Sequence, residues 1–243
     1  MTKFRCFADV DTLEPGPLLL AADESHHVGA VLRVSVGDTL LVLNGRGQEA
    51  LGRVTSIDKR AVELELSECR SLPDPGFAVT LFIGIPKLPA METILQKATE
   101  LGVRRICPIL SAHSVVKLPQ DKRSGREERW RKILLGAVKQ CRNPYLPELL
   151  SVSDFEGAVE RLIDVDMSIV GSLEDDAVVV RQIGQGAAPK RVGLWIGPEG
   201  DFSSEEYAQL RAAGVRAVSF GDRILRAETA VVTALSILNY EFE

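Results

Sequence analysis

Ala78-Val79-Thr80-Leu81-Phe82-Ile83 is an apolar run interrupted by a single threonine. A strand that reads apolar on both faces is one covered from both sides, as in a parallel sheet flanked by helices. The next segment is helical: Pro89 suits a first turn, Met91, Ile94, Leu95, Ala98 and Leu101 recur at helical spacing, and Gly102 suits the stop. Arg105 to Leu110 then reads as the next strand. Trp130, Ile133, Leu134, Ala137, Val138 and Cys141 form one apolar stripe of a long helix. Three more short strands are expected at Met167 to Val170, Val192 to Ile196 and Val215 to Phe220. Ser203-Ser204-Glu205-Glu206 is a capping box that opens the helix before the last of them. A final helix carries Ala230, Val231, Ala234, Leu235 and Leu238. Alternating strands and helices imply an α/β domain with a mostly parallel sheet, whose ligand site lies at the strand C-terminal ends.

Upstream the pattern differs. Asp38 to Leu43 and Glu49 to Ile57 flank the turn Asn44-Gly45-Arg46-Gly47, as in a hairpin. Val62, Leu64 and Leu66 alternate with Glu63 and Glu65, a half-buried strand. Leu72-Pro73-Asp74-Pro75-Gly76 breaks regular pairing, so the domains are expected at 1–72 and 76–243.

Composition excludes more than it identifies. The 243 residues are 45% hydrophobic and 26% charged, enough chain for a sizeable core. No stretch approaches the apolar length that crosses a bilayer, and Met1-Thr2-Lys3-Phe4-Arg5-Cys6 lacks the apolar centre of a secretory signal. Cytoplasmic placement is the expectation. Cys6, Cys69, Cys107 and Cys141 are far apart, so neither a metal site nor a disulfide framework is expected. The net charge of −5 disfavours nucleic acid at first sight, but its distribution matters more. From Lys117 to Arg142 there are nine basic residues (Lys117, Lys122, Arg123, Arg126, Arg129, Arg131, Lys132, Lys139, Arg142) against three acidic ones (Asp121, Glu127, Glu128). Such a segment suits an RNA partner or simply a solvated helix face.

Gly45-Arg46-Gly47-Gln48-Glu49-Ala50 matches the dinucleotide fingerprint by letter. That motif works only where a strand turns into a helix, and a strand comes next here. Phosphate-loop, nucleophile-elbow and zinc-protease motifs are absent. Glycine instead leads the turn after each of the last three strands: Gly171-Ser172-Leu173, Gly197-Pro198-Glu199-Gly200 and Gly221-Asp222-Arg223-Ile224-Leu225-Arg226. Glycine lets backbone groups approach a ligand closely, and three such turns at one sheet edge form a backbone-lined pocket. Each alone is equally well a tight turn, yet Glu199, Arg226 and Glu228 add charge that packing does not require.

Leu194-Trp195-Ile196-Gly197-Pro198-Glu199-Gly200, with Arg223-Ile224-Leu225-Arg226-Ala227-Glu228-Thr229-Ala230, resembles the C-terminal signature of the ribosomal RNA small subunit methyltransferase E family. Ile85-Pro86-Lys87, Met91-Glu92 and Gln96 to Val103 are similar to its central motif, and His26-His27, Val31-Leu32-Arg33 and Val36-Gly37-Asp38 to its N-terminal domain. The match runs through nearly the whole chain in order. It implies a small PUA-like β-barrel that binds RNA, followed by a SPOUT-type domain with its trefoil knot at about 165–243. It also implies a homodimer, S-adenosylmethionine as methyl donor, and N3 of uridine 1498 of 16S ribosomal RNA, within the 30S subunit, as acceptor. Asp201 departs from this pattern, standing where the family usually has a second glycine, as do Asp222, Ala227 and the segment around His113.

Carried onto this chain, the donor site comprises Gly171, Ser172, Leu173, Ile196, Gly197, Pro198, Glu199, Gly200, Phe220, Gly221, Ile224, Leu225, Arg226, Ala227, Thr229 and Ala230. Leu173, Ile196, Ile224 and Leu225 are candidates to flank adenine, with core packing as the alternative. Uridine N3 must lose its proton, which a base or a cation beside the uracil oxygens promotes; Arg226 is the expected cation and Glu199 the expected base. Glu228 suits a structural place in the first turn of the last helix. Phe4, Arg5, His26, His27, Arg33, Lys87, Lys117, Arg129 and Arg142 are the expected RNA contacts, although both histidines suit ordinary fold roles as well. The apolar final helix is expected at the dimer interface. Two other classes compete: a noncatalytic RNA-binding module for ribosome assembly, and an enzyme using nucleotides or phosphate.

Overall fold

The structure is a computed structural model and describes residues 4–58, 61–174, 176–180, 183–184 and 188–242. Met1 to Lys3 of the N-terminal stretch lie outside the described residues. The chain divides into two units, Met1–Asp74 with Leu135–Leu146, and Pro75–Leu134 with Pro147–Glu243.

The first unit is built on a five-stranded sheet of β1 (Phe4–Phe7), β2 (Gly16–Leu19), β3 (Thr39–Leu43), β4 (Gln48–Ile57) and β5 (Val62–Ser71), in the order β1-β3-β4-β5-β2. β1 is parallel to β3, and the other neighbours are antiparallel. The period of two in β5 is realised: Val62, Leu64 and Leu66 are buried with Cys6, Leu40, Val42 and Val54, while Glu63 and Glu65 face solvent. The turn joining β3 to β4 holds Gly45 and Gly47 at φ of +70° and +86°, and a Cβ on Gly47 would stand 2.6 Å from the Tyr145 ring. The fingerprint-like letters are therefore a hairpin turn, fixed by backbone conformation and packing. α1 (Ala22–His26) leads directly into a π-helical turn, His27–Val31.

The second unit alternates as expected: β6 (Ala78–Gly84), α2 (Leu88–Glu100), β7 (Arg105–Leu110), α3 (Gln120–Cys141), the short β8 (Glu148–Leu149) and β9 (Ser153–Asp154), and α4 (Phe155–Glu160). Then come β10 (Met167–Gly171), β11 (Val178–Val179), β12 (Arg191–Ile196), α5 (Ser204–Ala212), β13 (Arg216–Ser219) and α6 (Ala227–Phe242). The C-terminal part of α3, from Leu135, groups with the first unit. The eight-stranded sheet runs β11-β13-β10-β12-β6-β7-β8, with β9 also beside β7, and its ladders are parallel.

β6 and β12 lie adjacent and bury apolar side chains on both faces, which is why their sequences read as unbroken apolar runs. Trp195 stacks on Phe82 with ring centroids 4.2 Å apart, and its indole N–H donates to Ser168 Oγ at 3.1 Å. Phe202 closes edge-on and Phe155 at a tilt around it, so the end of β12 is anchored in an aromatic cluster. The capping box forms in full: Ser203 Oγ accepts from the Glu206 N–H, and the Glu206 carboxylate accepts from the Ser203 N–H. Of the expected stripe of α6, Val231, Ala234, Leu235 and Leu238 are buried within their own unit together with Ala227, where α6 packs on α2 and β12, and Ala230 is half-buried. Intrachain packing explains that stripe, so it says nothing about a dimer.

Candidate functional site

β10 lies between β12 and β13, so these parallel strands deliver three turns to one sheet edge. The turns line a cleft of about 250 Å³, just below the usual range for small-molecule sites, roughly 300–1,000 Å³. Gly171, Ser172 and Leu173 come from the end of β10, and Ile196, Gly197, Pro198 and Glu199 from the end of β12. Phe220, Gly221, Ile224, Leu225, Arg226, Ala227 and Ala230 follow β13 and run into α6. Of the expected set, Gly200 and Thr229 do not line the cleft: a Cβ on Gly200 would point at His113, and Thr229 lies exposed on α6. Asp201 and Arg223 do line it and were not expected to.

The apolar lining is not ordinary core. Ile196 is buried at 4% exposure, but Leu173 and Ile224 are 57% and 82% exposed at the cleft. Large apolar side chains left open around a concave, glycine-lined site are what a ligand or partner covers. Gly171 forms part of the floor, since a Cβ there would stand 2.8 Å from the Phe220 ring and 3.0 Å from Ile196 Cδ1. Gly197 is different. A Cβ on it would meet Asp201 Oδ1 at 2.7 Å and Phe202 N at 3.1 Å, so glycine is needed there for closure of its own turn.

Side chains from elsewhere hold these turns. The Lys87 N–H donates to Glu199 Oε1 at 3.0 Å, tying the turn after β12 to the N-cap of α2. His113 Nδ1 lies 2.9 Å from the Gly200 carbonyl oxygen, to which it donates, and buried Glu206 accepts from the Ala112 N–H at 2.8 Å. The Tyr207 hydroxyl donates to Asp201 Oδ1 at 2.9 Å. Arg226 is exposed at the cleft, its carbonyl accepting from the Ala230 N–H at 2.8 Å; among the described residues no ion pair joins it to Glu199 or Glu228. Glu228 takes its place in the first turn of α6.

The expected RNA contacts fall into two groups. Arg5 donates to the carbonyls of Lys139 (3.1 Å) and Gln140 (2.8 Å), satisfying the C-terminal end of α3, and Phe4 packs on the core of the first unit. Burial, with Lys139 adding to it, pushes the His27 pKa down, so His27 is a neutral imidazole near pH 7. His26 and Arg33 are exposed, Arg33 at φ of +54°, and Arg142 follows α3 at φ of +62°. In the second unit Lys87 and Lys117 are exposed, while Arg129 pairs with Glu92 at 2.7 Å. Much of the basic segment is internally neutralised: Lys132 pairs with Glu128, Arg131 with Glu127, and Lys139 with the largely buried Glu24.

Residues 73–239 match the RNA methyltransferase domain family, and residues 20–67 match the RNA methyltransferase PUA domain family. The ribosomal RNA small subunit methyltransferase E of Bacillus subtilis is 31% identical over 92% of this chain and 90% of its own length. The chain belongs to the ribosomal RNA small subunit methyltransferase E family. The Aquifex aeolicus member is 30% identical over 91% of this chain and 93% of its own. Among solved structures, the Neisseria gonorrhoeae member of the family, bound to S-adenosylmethionine, superposes with a TM-score of 0.87 at 25% identity over 97% of this chain and 96% of its own. A Legionella pneumophila protein solved with bound cofactor SAM superposes with a TM-score of 0.90 at 30% identity, over 99% and 98% of the two chains. The N-terminal unit is accordingly PUA-like and the C-terminal one an α/β methyltransferase unit with a mostly parallel sheet.

Proposed function

We propose that this chain binds S-adenosylmethionine in the cleft at the ends of β10, β12 and β13 and methylates N3 of a uridine in 16S ribosomal RNA. Uridine 1498 is the position that family membership favours. The observation that carries the reading is the cleft itself, where glycine-led turns present backbone while Leu173 and Ile224 stay exposed beside buried Ile196. That combination fits an adenosine, whose ring takes apolar flanks and whose polar edge takes backbone groups.

When bound, the sulfonium supplies the methyl group for an in-line displacement. The chain's own contribution is positioning and charge. The three turns place the donor and exclude water from it. Loss of the N3 proton to solvent spreads negative charge onto the uracil oxygens, and Arg226, exposed at the cleft as Arg223 is and unpaired with a carboxylate among the described residues, is the guanidinium assigned to stabilise that charge. Glu199, expected as a base, already uses one oxygen to hold the Lys87 N–H, so its main part is to fix the turn. N3 lies on the Watson–Crick edge, so the uridine enters unpaired or extruded. His26, Arg33, Lys87, Lys117 and Arg142 remain as RNA contacts in this reading, whereas Arg5 and Arg129 already have intrachain partners.

The same reading includes a homodimer, the trefoil knot at about 165–243, domains divided near 72–76, and work in the cytoplasm on the 30S subunit. Exposed Val179 and Tyr240, outside the cleft lining, support the dimer as apolar surface left for a second copy. Among the described residues no helix is long and apolar enough to cross a membrane.

Titration with S-adenosylmethionine and, separately, ATP tests the cofactor. Methylation of 30S subunits and of naked 16S RNA, with the modified base mapped, tests the substrate. Binding of ATP but not S-adenosylmethionine, or methylation elsewhere than uridine N3, would overturn the corresponding part. A monomeric mass by sedimentation, in an active preparation, would remove the dimer.

A further inference from the structure

Asp201 occupies a left-handed backbone conformation, φ of +59°, in the wall of the cleft. Glycine adopts this conformation freely, and aspartate and asparagine tolerate it better than most residues. The side chain at this position is engaged on two sides. Its Oδ1 accepts from the Phe202 N–H at 2.8 Å and from the Tyr207 hydroxyl at 2.9 Å. Tyr207 stands on α5 and is 3% exposed, and its Oη also lies 3.3 Å from the carbonyl oxygen of Gly171 at the end of β10. The single phenolic proton serves the carboxylate in the turn after β12, and the phenol oxygen only abuts the end of β10.

Burial pushes the Tyr207 phenol pKa well up; Ser172 opposes this and the nearby Asp201 charge adds to it. The phenol therefore stays protonated and remains a donor throughout the working pH range. A buried donor facing a carboxylate gives a stronger bond than a neutral pair, so removing either partner loses a charge-assisted bond.

We propose that Asp201 and Tyr207 are a positioning pair, which holds the Gly197–Asp201 turn against α5 at the spacing that the methyl donor requires. Neither residue touches the reacting atoms; the pair acts by pre-organising the wall, so that less ordering accompanies binding. This role rests on the proposed binding of S-adenosylmethionine in the cleft.

Calorimetric titration of S-adenosylmethionine into the full chain and its variants tests the pair, with thermal midpoints measured alongside. Tyr207→Phe and Asp201→Gly should each weaken donor binding by about tenfold, the scale of one hydrogen bond to a charged group. The double variant should lose little more than either single one, because both remove the same contact. Asp201→Asn keeps an oxygen acceptor and tolerates the conformation, and should recover affinity to within about threefold of the parent. In turnover, the donor KM should rise while kcat moves by less than about twofold, the mark of a lost binding contribution. A purely structural role predicts otherwise: Asp201→Gly, with the better-suited backbone, would bind as the parent does, and any losses would follow the midpoints. Either result overturns the pair. Should Tyr207→Phe fail to fold, Asp201→Gly against Asp201→Asn decides alone. A parent chain that does not bind S-adenosylmethionine overturns the cofactor reading and the pair with it, whereas parent binding with unaltered variants overturns only the pair.

Discussion

The backbone N–H of Lys87 and the carboxylate of Glu199, 112 positions apart in sequence, are joined by a 3.0 Å hydrogen bond that links the start of α2 to the cleft turn after β12. This bond separates two roles for Glu199. A tether needs an acceptor oxygen, which glutamine retains; a base needs a carboxylate, which glutamine lacks. Glu199→Gln is expected to lower single-turnover methyl transfer only a few-fold, and Glu199→Ala to lower donor affinity by about tenfold, the cost of one charge-assisted bond. A glutamine variant that binds donor normally but transfers methyl a hundredfold or more slower, roughly the scale of a lost general base, would restore the catalytic role.

Gly171 and Gly197 look alike in sequence, yet their environments differ. Gly171→Ala places a methyl against Phe220 and Ile196 on the cleft floor and should weaken donor binding while the midpoint of unfolding shifts little. Gly197→Ala drives its methyl into Asp201 and the Phe202 N–H, so the turn must shift, at about 1–3 kcal/mol for a crowded site. Binding and stability should then fall together. Paired calorimetry and thermal melts check both, and a Gly197→Ala chain of parental stability would show that the turn has slack.

Legibility in the sequence depends on the range of the interactions involved. Ala78–Gly84 and Arg191–Ile196 are covered on both faces, so burial is written residue by residue into an apolar run. The cleft was legible because glycine marks each place where the backbone leaves the sheet, and the capping box at Ser203 because its partners are three residues apart. Long-range pairing left no such trace. Arg5 reads as a free cation until the carbonyl of Gln140 is found 135 positions away, and the return of Leu135–Leu146 to the first unit interrupts a continuous helical stripe. Asp201 was visible as a departure from the family pattern, but its bond to Tyr207 depends on a left-handed backbone conformation that letters do not encode.

Arg226→Ala should slow single-turnover methyl transfer by at least about tenfold and change donor affinity little, since stabilisation of developing charge acts on the transition state. Arg226→Lys keeps the charge without the planar fork and should recover part of the rate. Parallel loss of rate and donor binding would instead make Arg226 a wall of the cleft.

The basic segment gives the last contrast, between Lys139 and Lys117. By sequence both are positive charges available to phosphate. In the structure Lys139 Nζ lies 2.9 Å from Glu24 Oε2, with the two side chains only 16% and 10% exposed, and Glu24 also accepts from the Phe7 N–H. Removing the lysine leaves that carboxylate largely buried without its cation, and such losses run to about 3–5 kcal/mol for fully buried pairs. Lys139→Ala should therefore lower stability by about 2–3 kcal/mol, below that range because neither side chain is wholly enclosed. It should leave the salt dependence of RNA binding unchanged. Lys117 is exposed, and its neutralisation costs the fold nothing comparable. If Lys117 meets a phosphate, Lys117→Ala should weaken RNA binding similarly for all sequences and reduce the slope of log affinity against log salt by about one. Denaturant melts and salt-titrated binding to 16S RNA fragments measure the two effects separately. A lowered salt slope in Lys139→Ala at parental stability would mean that the Glu24 pair opens to admit RNA, and an unchanged slope in Lys117→Ala would remove Lys117 from the interface.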